Sequence, residues 1–354
     1  VNGRVDGVES IAVLRANAIG DFLVALPAIE AIKQAYPRAR LTLLGTPWHA
    51  GFLDGRPGPV DEVLVLPPIS GLSTQESGLD AGQEFYAGLR RRAFDLAVQI
   101  HGGGRFSNPF VRRLGAGMTA GLRAPDAESL DRWVPYQYYH HETLRFLQVA
   151  ALVGGVPGDL EPRVPVTGAD RRELAESYGE PPAGLVAVHP GATDPRRRWP
   201  AERFAAVADS LGRPVVVTGT HAEKDLVTSV VAAMRRPATA VVGTLGVGAL
   251  AALYARCDLV IANDTGPRHL AAAVGTPTVG IYWCGNLINA GPLTRTRHRP
   301  LISWTTQCPR CGASGVDLDA ERCPHDESWV ADVPVAAVLE QADDLLTGHF
   351  REES

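Results

Sequence analysis

The chain has no apolar run long enough to cross a bilayer, because its Ala-rich stretches are broken by Gly, Pro, Thr or charge. The short run Ile11–Leu14 is too brief for the core of a secretory signal and has no cleavage-site context. A cytoplasmic protein is the expectation, with room only for peripheral membrane contact. Positive charge is not in excess either. Thirty-four Lys and Arg against 39 Asp and Glu give a net charge of −5, so no general grip on nucleic acid is expected. The five cysteines are too few, and too bunched near the C-terminus, for a secreted disulfide framework. No GxGxxG follows the first strand-like segment and no GxxxxGK[ST] occurs, which disfavours hydride transfer and P-loop hydrolysis. Heptads are missing as well, leaving a monomer as the default.

What is present is alternation. At 354 residues, 45% hydrophobic and 21% charged, the chain has the composition of a globular protein with room for two cores. Ile11–Leu14, Leu41–Leu44, Val63–Leu66 and Leu96–Ile100 read as buried strands separated by amphipathic stretches. The stretch 156–168, rich in Pro and Gly, interrupts the pattern. A second series follows with Leu185–His189, Pro214–Thr218, Ala240–Val242, Asp258–Ala262 and Thr278–Tyr282, and Val335–Leu346 reads as a closing amphipathic helix. Strands alternating with helices predict α/β architecture with parallel sheets. The expectation is two Rossmann-like domains, residues 1–160 and 161–333, then a terminal segment 334–354. Ligands of such folds bind at the carboxyl ends of the strands, in a cleft between the lobes.

Four loops after predicted strands carry polar residues that a core would not select. In Arg15-Ala-Asn-Ala-Ile-Gly-Asp21, Gly20 permits a sharp turn and Asp21 falls at a helix start, as a plain cap or as a general base. In His189-Pro-Gly-Ala-Thr193 and the following Arg196, Arg197 and Arg198, a hydroxyl and three guanidinium groups precede a helix. That loop is either a solvated basic stretch or a diphosphate contact. Glu223 sits at another strand-to-helix junction, as a capping acid or a ribose ligand. The fourth loop, Asn263-Asp-Thr-Gly-Pro-Arg-His-Leu270, places Thr265 and Gly266 amides at a helix start, with Asp264 and His269 able to bond a sugar. His101-Gly-Gly-Gly-Arg105 is either a tight loop or a place where an acceptor meets the backbone, so Arg15, His101 and Arg105 are acceptor-side candidates.

In this order the loops resemble those of glycosyltransferase family nine, the ADP-heptose:lipopolysaccharide heptosyltransferases. The resemblance runs over nearly the whole chain and is strongest at Arg15–Asp21 with Leu26-Pro27, and at Asn263–Ala272. It implies a GT-B fold, two Rossmann-like domains facing across a cleft, with the last helix crossing back onto the first domain. It further implies inverting, metal-independent transfer from an ADP-heptose-type donor to a glycan, lipid-linked or small-molecule acceptor. Under it, Asp21 is the general base and Arg197 contacts the donor phosphates where the family usually has Lys. Thr193 is a phosphate-contacting hydroxyl, Glu223 binds the nucleoside, Asp264 holds the donor sugar, and Thr265, Gly266 and His269 complete the donor loop. A same-fold sugar-nucleotide epimerase and a silent sugar-nucleotide-binding protein are the alternatives.

Cys308-Pro-Arg-Cys311, followed after eleven residues by Cys323-Pro-His325, is a set of four soft ligands in one short stretch. Structural zinc, reduced thiols and a disulfide all fit that spacing.

Overall fold

The computed structural model describes residues 3–72 and 82–348. The chain divides between Pro162 and Arg163 into two compact units. Among the described residues no helix is long and apolar enough to cross a membrane.

The first unit holds six strands, β1 (Ser10–Leu14), β2 (Arg40–Gly45), β3 (Glu62–Val65), β4 (Leu96–Gln99), β5 (Met118–Arg123) and β6 (Arg132–Pro135). They lie in the order β3-β2-β1-β4-β5-β6 and every pairing is parallel. The order reverses between β1 and β4, and at such a switch point the loops leaving the strand ends diverge and open a crevice. The loop after β1 carries Arg15 to Ala18, and the loop after β4 carries His101 to Arg105. The helix Ile19–Ala35 is apolar on most sides and is buried accordingly, from Phe22 through Ile29 and again at Ala31 and Ile32.

The second unit repeats this plan with β7 (Val186–His189), β8 (Val215–Gly219), β9 (Thr239–Val242), β10 (Leu259–Asn263), β11 (Thr278–Trp283) and β12 (His298–Ser303), in the order β12-β11-β10-β7-β8-β9, again all parallel. Its switch point lies between β7 and β10, whose loops carry Thr193 to Arg198 and Asp264 to Gly266. Val188, Trp199, Phe204, Val217, Ile261 and Val279 form its core. The closing helix Val335–Thr347 buries Val338, Ala342 and Leu345 in this same core. Its apolar stripe is satisfied locally, so the helix belongs to the second unit.

Three strands escaped the sequence pattern. β6 and β12 are edge strands, so they tolerate Pro135 and Pro300 and are only partly buried. β5 is interior but carries Gly121, where a Cβ would come within 2.7 Å of Gln99 Cβ and 2.8 Å of Gln99 O. Gln99 needs that space, because its Oε1 accepts from the Leu122 amide at 3.0 Å while its Nε2 donates to His101 O at 2.7 Å. A Gly121→Ala substitution is therefore expected to destabilise the protein by about 1–3 kcal/mol, read from the urea midpoint. An unchanged midpoint would show that Gln99 is free to move.

Candidate functional site

In the first unit the chemistry gathers around one guanidinium. Arg15 is 1% exposed. Its Nε donates to Asp21 O at 2.9 Å and its Nη1 to Ile100 O at 2.9 Å. Its Nη2 lies 3.1 Å from Asp21 Oδ1 and 3.2 Å from Glu142 Oε2, and the group stacks over Phe146 at 4.7 Å. Expected on the acceptor side, Arg15 is instead buried and positions other groups. Glu142 is held in turn by Arg145 Nη2 at 2.9 Å, itself 2% exposed. Sequence reasoning missed both Glu142 and Arg145, although their spacing of three on a helix is that of an ion pair.

Asp21 is not the cap of its helix. The N-cap is Ala18, which offers no side-chain bond, and Asp21 lies in the first turn. Its Oδ1 is held by Arg15 and, at 3.4 Å, by Asn17 Nδ2. Among the described residues Oδ2 accepts nothing, and the side chain is 38% exposed. The result is a carboxylate fixed on one oxygen and open on the other.

His101 is buried, and its Nδ1 accepts from the Ala16 amide at 3.2 Å, which puts the ring proton on Nε2. The three glycines after it form a tight loop. Gly102 and Gly104 have φ of 65° and 100°, and a Cβ on Gly104 would strike Asn108 and Leu122 O. Arg105 is a surface side chain, 70% exposed and 3.7 Å from Asp126. Beside the Asp21 loop lies a pocket of about 380 Å³ lined by Ala16, Asn17, Thr46, Trp48, Leu66 and Leu72. Trp48 Nε1 donates to Asn17 O at 2.9 Å, which fixes an aromatic wall of the kind that packs against a sugar face.

In the second unit the three consecutive arginines separate by partner. Arg196 is paired with Asp194, and Arg198 Nε donates to Ala192 O at 2.9 Å. Only Arg197 is directed at Asp264, with Nη1 3.7 Å from Oδ2. Thr193 is exposed beside them. This loop is shaped by Asn263, another residue that sequence reasoning left without a role. Its Oδ1 accepts from the Trp199 amide at 3.0 Å and its Nδ2 donates to Pro190 O at 2.7 Å.

Asp264 is 6% exposed. Burial pushes its carboxyl up, but His269, Arg268 and Asn286 outweigh that and hold it below the usual carboxylate range. Its Oδ2 accepts from Asn286 Nδ2 at 2.7 Å. Among the described residues Oδ1 has no hydrogen-bond partner, and it stands 3.5 Å from His269 Nε2. Buried Arg268 meets His269 Nδ1 at 2.6 Å, so the imidazole proton sits on Nε2. Thr265 caps the helix Gly266–Ala273 in extended conformation without a side-chain bond, leaving the amides of that helix start available to an anion.

Glu223 takes the capping role foreseen for it. Oε2 accepts from the Thr220 amide and hydroxyl, each at 2.9 Å, closing a capping box. Oε1 lies over Gly191, where an added Cβ would be 2.0 Å from it. Only glycine at 191 leaves that oxygen uncovered.

The late cysteines also converge. Ligand atoms of Cys308, Cys311, Cys323 and His325 all lie within 4.8 Å of one another, and the cysteines are free thiols. Burial raises the Cys308 thiol, but the amides of Arg310 and Cys311 and the neighbouring thiols bring it down to about 6.

With this geometry in place, comparison with known proteins is specific. The model of Glycosyltransferase family 9 (heptosyltransferase) matches residues 83–311. The lipopolysaccharide core heptosyltransferase OpsX of Haemophilus influenzae is 23% identical over 299 residues, covering 80% of this chain and 82% of that protein. A family 9 glycosyltransferase from Veillonella parvula superposes with a TM-score of 0.74 at 21% identity, covering 96% and 97% of the two chains. The E. coli ADP-heptose lipopolysaccharide heptosyltransferase II superposes at 0.72 with 18% identity, covering 96% and 98%.

The buried imidazoles around both loop clusters set an acid limit. Burial is the largest cause lowering His49 and His298 to about 3, and His101 and His189 to about 4. In the unfolded chain the same groups bind protons below about 6.5. Stability is thus expected to be independent of these groups at pH 7 and to fall as pH drops from about 6.5 towards 4. Near pH 5 unfolding should take up about four protons through them, measured from the slope of unfolding free energy against pH. A flat profile over that interval would contradict the burial of these rings.

Proposed function

The chain belongs to glycosyltransferase family 9, and from that premise we propose that it moves a heptose, with inversion, from an ADP-heptose-type donor to a glycan hydroxyl, using Asp21 as general base. One observation carries the assignment of the base. Asp21 is held through Oδ1 by Arg15 and Asn17, while Oδ2 is open and part-exposed. A general base needs this combination, because its reactive oxygen has to be both oriented and unengaged.

In the proposed reaction the acceptor hydroxyl gives its proton to Asp21 Oδ2 as its oxygen attacks the anomeric carbon. The bond from that carbon to the diphosphate oxygen breaks, and ADP leaves with the electron pair. Arg197, the Thr193 hydroxyl and the amides of Thr265 and Gly266 take up the growing diphosphate charge. Glu223 Oε1 accepts from the ribose hydroxyls, and Asp264 Oδ1 with His269 holds the sugar being transferred. The scheme calls on no divalent metal, since one guanidinium and the helix amides supply the positive field. The pocket walled by Trp48, together with the His101 loop, is the proposed acceptor side.

Calorimetric titration with ADP, UDP and GDP tests the donor, with ADP expected to bind selectively. Preference for UDP or GDP would overturn the donor assignment. Asp21→Ala is expected to lower transfer by about 10²–10⁴-fold while ADP affinity stays within about twofold. Glu223→Ala should instead weaken ADP by on the order of tenfold, and Asp264→Ala should weaken the ADP-sugar more than ADP. Equal losses of nucleotide affinity in all three variants would sink these roles, and turnover of donor without acceptor would favour an epimerase.

A further inference from the structure

Between β12 and the closing helix, residues 304–334 contain no helix and no strand, only the isolated bridge Gln307–Ser314. A connection of that length inside a compact domain needs a cross-link or a function, because little apolar surface pays its ordering entropy. Its apolar anchors are Cys308, Trp329, Val330 and Val333. We infer that Cys308, Cys311, Cys323 and His325 bind one zinc ion, and that this ion holds the segment which props the Arg196–Arg198 loop.

The site has the build of a zinc knuckle. The Cys308 amide donates to Ala313 O at 2.8 Å and the Gly312 amide to Cys308 O at 2.9 Å, a tight turn completed by Gly312 at φ 73°. Four ligands at about 2.0–2.3 Å from a tetrahedral centre stand roughly 3.5–3.8 Å from one another. The four ligand atoms here lie within 4.8 Å, and Cys308 Sγ is 3.8 Å from His325 Nδ1. A Cys₃His set without a carboxylate suits zinc, and four protein ligands close the coordination sphere, so the ion is structural.

From this knuckle the chain runs directly to the arginine loop. The Trp329 amide donates to Arg196 O at 2.7 Å and Ser328 Oγ to Arg198 O at 2.6 Å. Arg196 stacks over the Trp329 ring at 4.9 Å, and Arg322 Nη2 lies 3.7 Å from Asp194 Oδ1. Arg197 is thereby held between two backbone carbonyls that the metal-bearing segment fixes. The consequence for donor binding rests on Arg197 contacting the diphosphate; the metal site and its mechanical coupling do not.

Both parts are testable on the intact 354-residue chain without donor or acceptor. Elemental analysis after gel filtration in metal-free buffer should find about one zinc per chain, lost in Cys323→Ser and kept in His325→Cys. Hydrogen exchange followed by mass spectrometry then reads peptides covering 192–200, whose amides at Arg196, Arg197, Arg198 and Trp199 are hydrogen-bonded. Removing zinc should speed their exchange about tenfold, reversibly, while peptides over 10–35 are unchanged. No metal, iron in place of zinc, or a disulfide among the three cysteines would overturn the site. Bound zinc with unchanged exchange at 192–200 would overturn the coupling.

Discussion

The first unit is organised by a guanidinium that has no route to water. Arg15 follows the central strand β1, so its guanidinium must find acceptors inside the protein. It finds them in the Asp21 and Ile100 carbonyls and in two carboxylates on separate helices. One residue thereby joins the loop after β1, the loop after β4, the helix carrying Asp21 and the helix beginning at Glu142. Leaving such a buried charge unpaired costs about 3–5 kcal/mol, so the contacts are mutually enforcing. The orientation of Asp21 is a consequence of satisfying Arg15.

The second unit solves a similar problem with a neutral amide. Asn263 ends β10 fully buried, and its two ends bind the Trp199 amide and the Pro190 carbonyl. These bonds fix both flanks of the loop carrying Thr193 and the arginines. Trp199 is buried to 0% and its Nε1 donates to Val333 O at 3.0 Å, so the loop is also tied to the chain leading into the last helix. In both units a polar side chain at the end of a central strand sets the loop geometry, and the proposed reactive residues are its neighbours. Asp21 follows Arg15 by six positions, and Asp264 follows Asn263 directly.

Most of the architecture was legible because central strands in parallel sheets are continuous apolar runs, and β1, β2, β4, β7 and β10 stand out as such. The strands that escaped notice carry Pro at an exposed edge or Gly under a neighbouring side chain. Asp264 and Glu223 stood out as carboxylates at strand-to-helix junctions, and the structure buries the first and closes a capping box with the second. The site was not legible for Glu142, Arg145 and Asn263, whose importance depends on partners distant in sequence. The last helix shows the same limit: an amphipathic stripe states that a face is buried, not against which sheet.

The arginine run shows why partners decide more than charge. Three adjacent cations would ordinarily repel and remain solvated. Here Arg196 is neutralised by Asp194 and propped on Trp329, and Arg198 is tied to Ala192 O. That leaves Arg197, 27% exposed and 3.7 Å from an ionised, buried Asp264. A lysine at this place would offer one compact charge, and contact with Asp264 would compete with any anionic ligand. A guanidinium has five donors in a planar fork, so one edge can stay near Asp264 while the other meets a phosphate. Arginine at 197 therefore suits the proposed arrangement, in which Arg197 stays near the buried carboxylate and also meets the donor's phosphate.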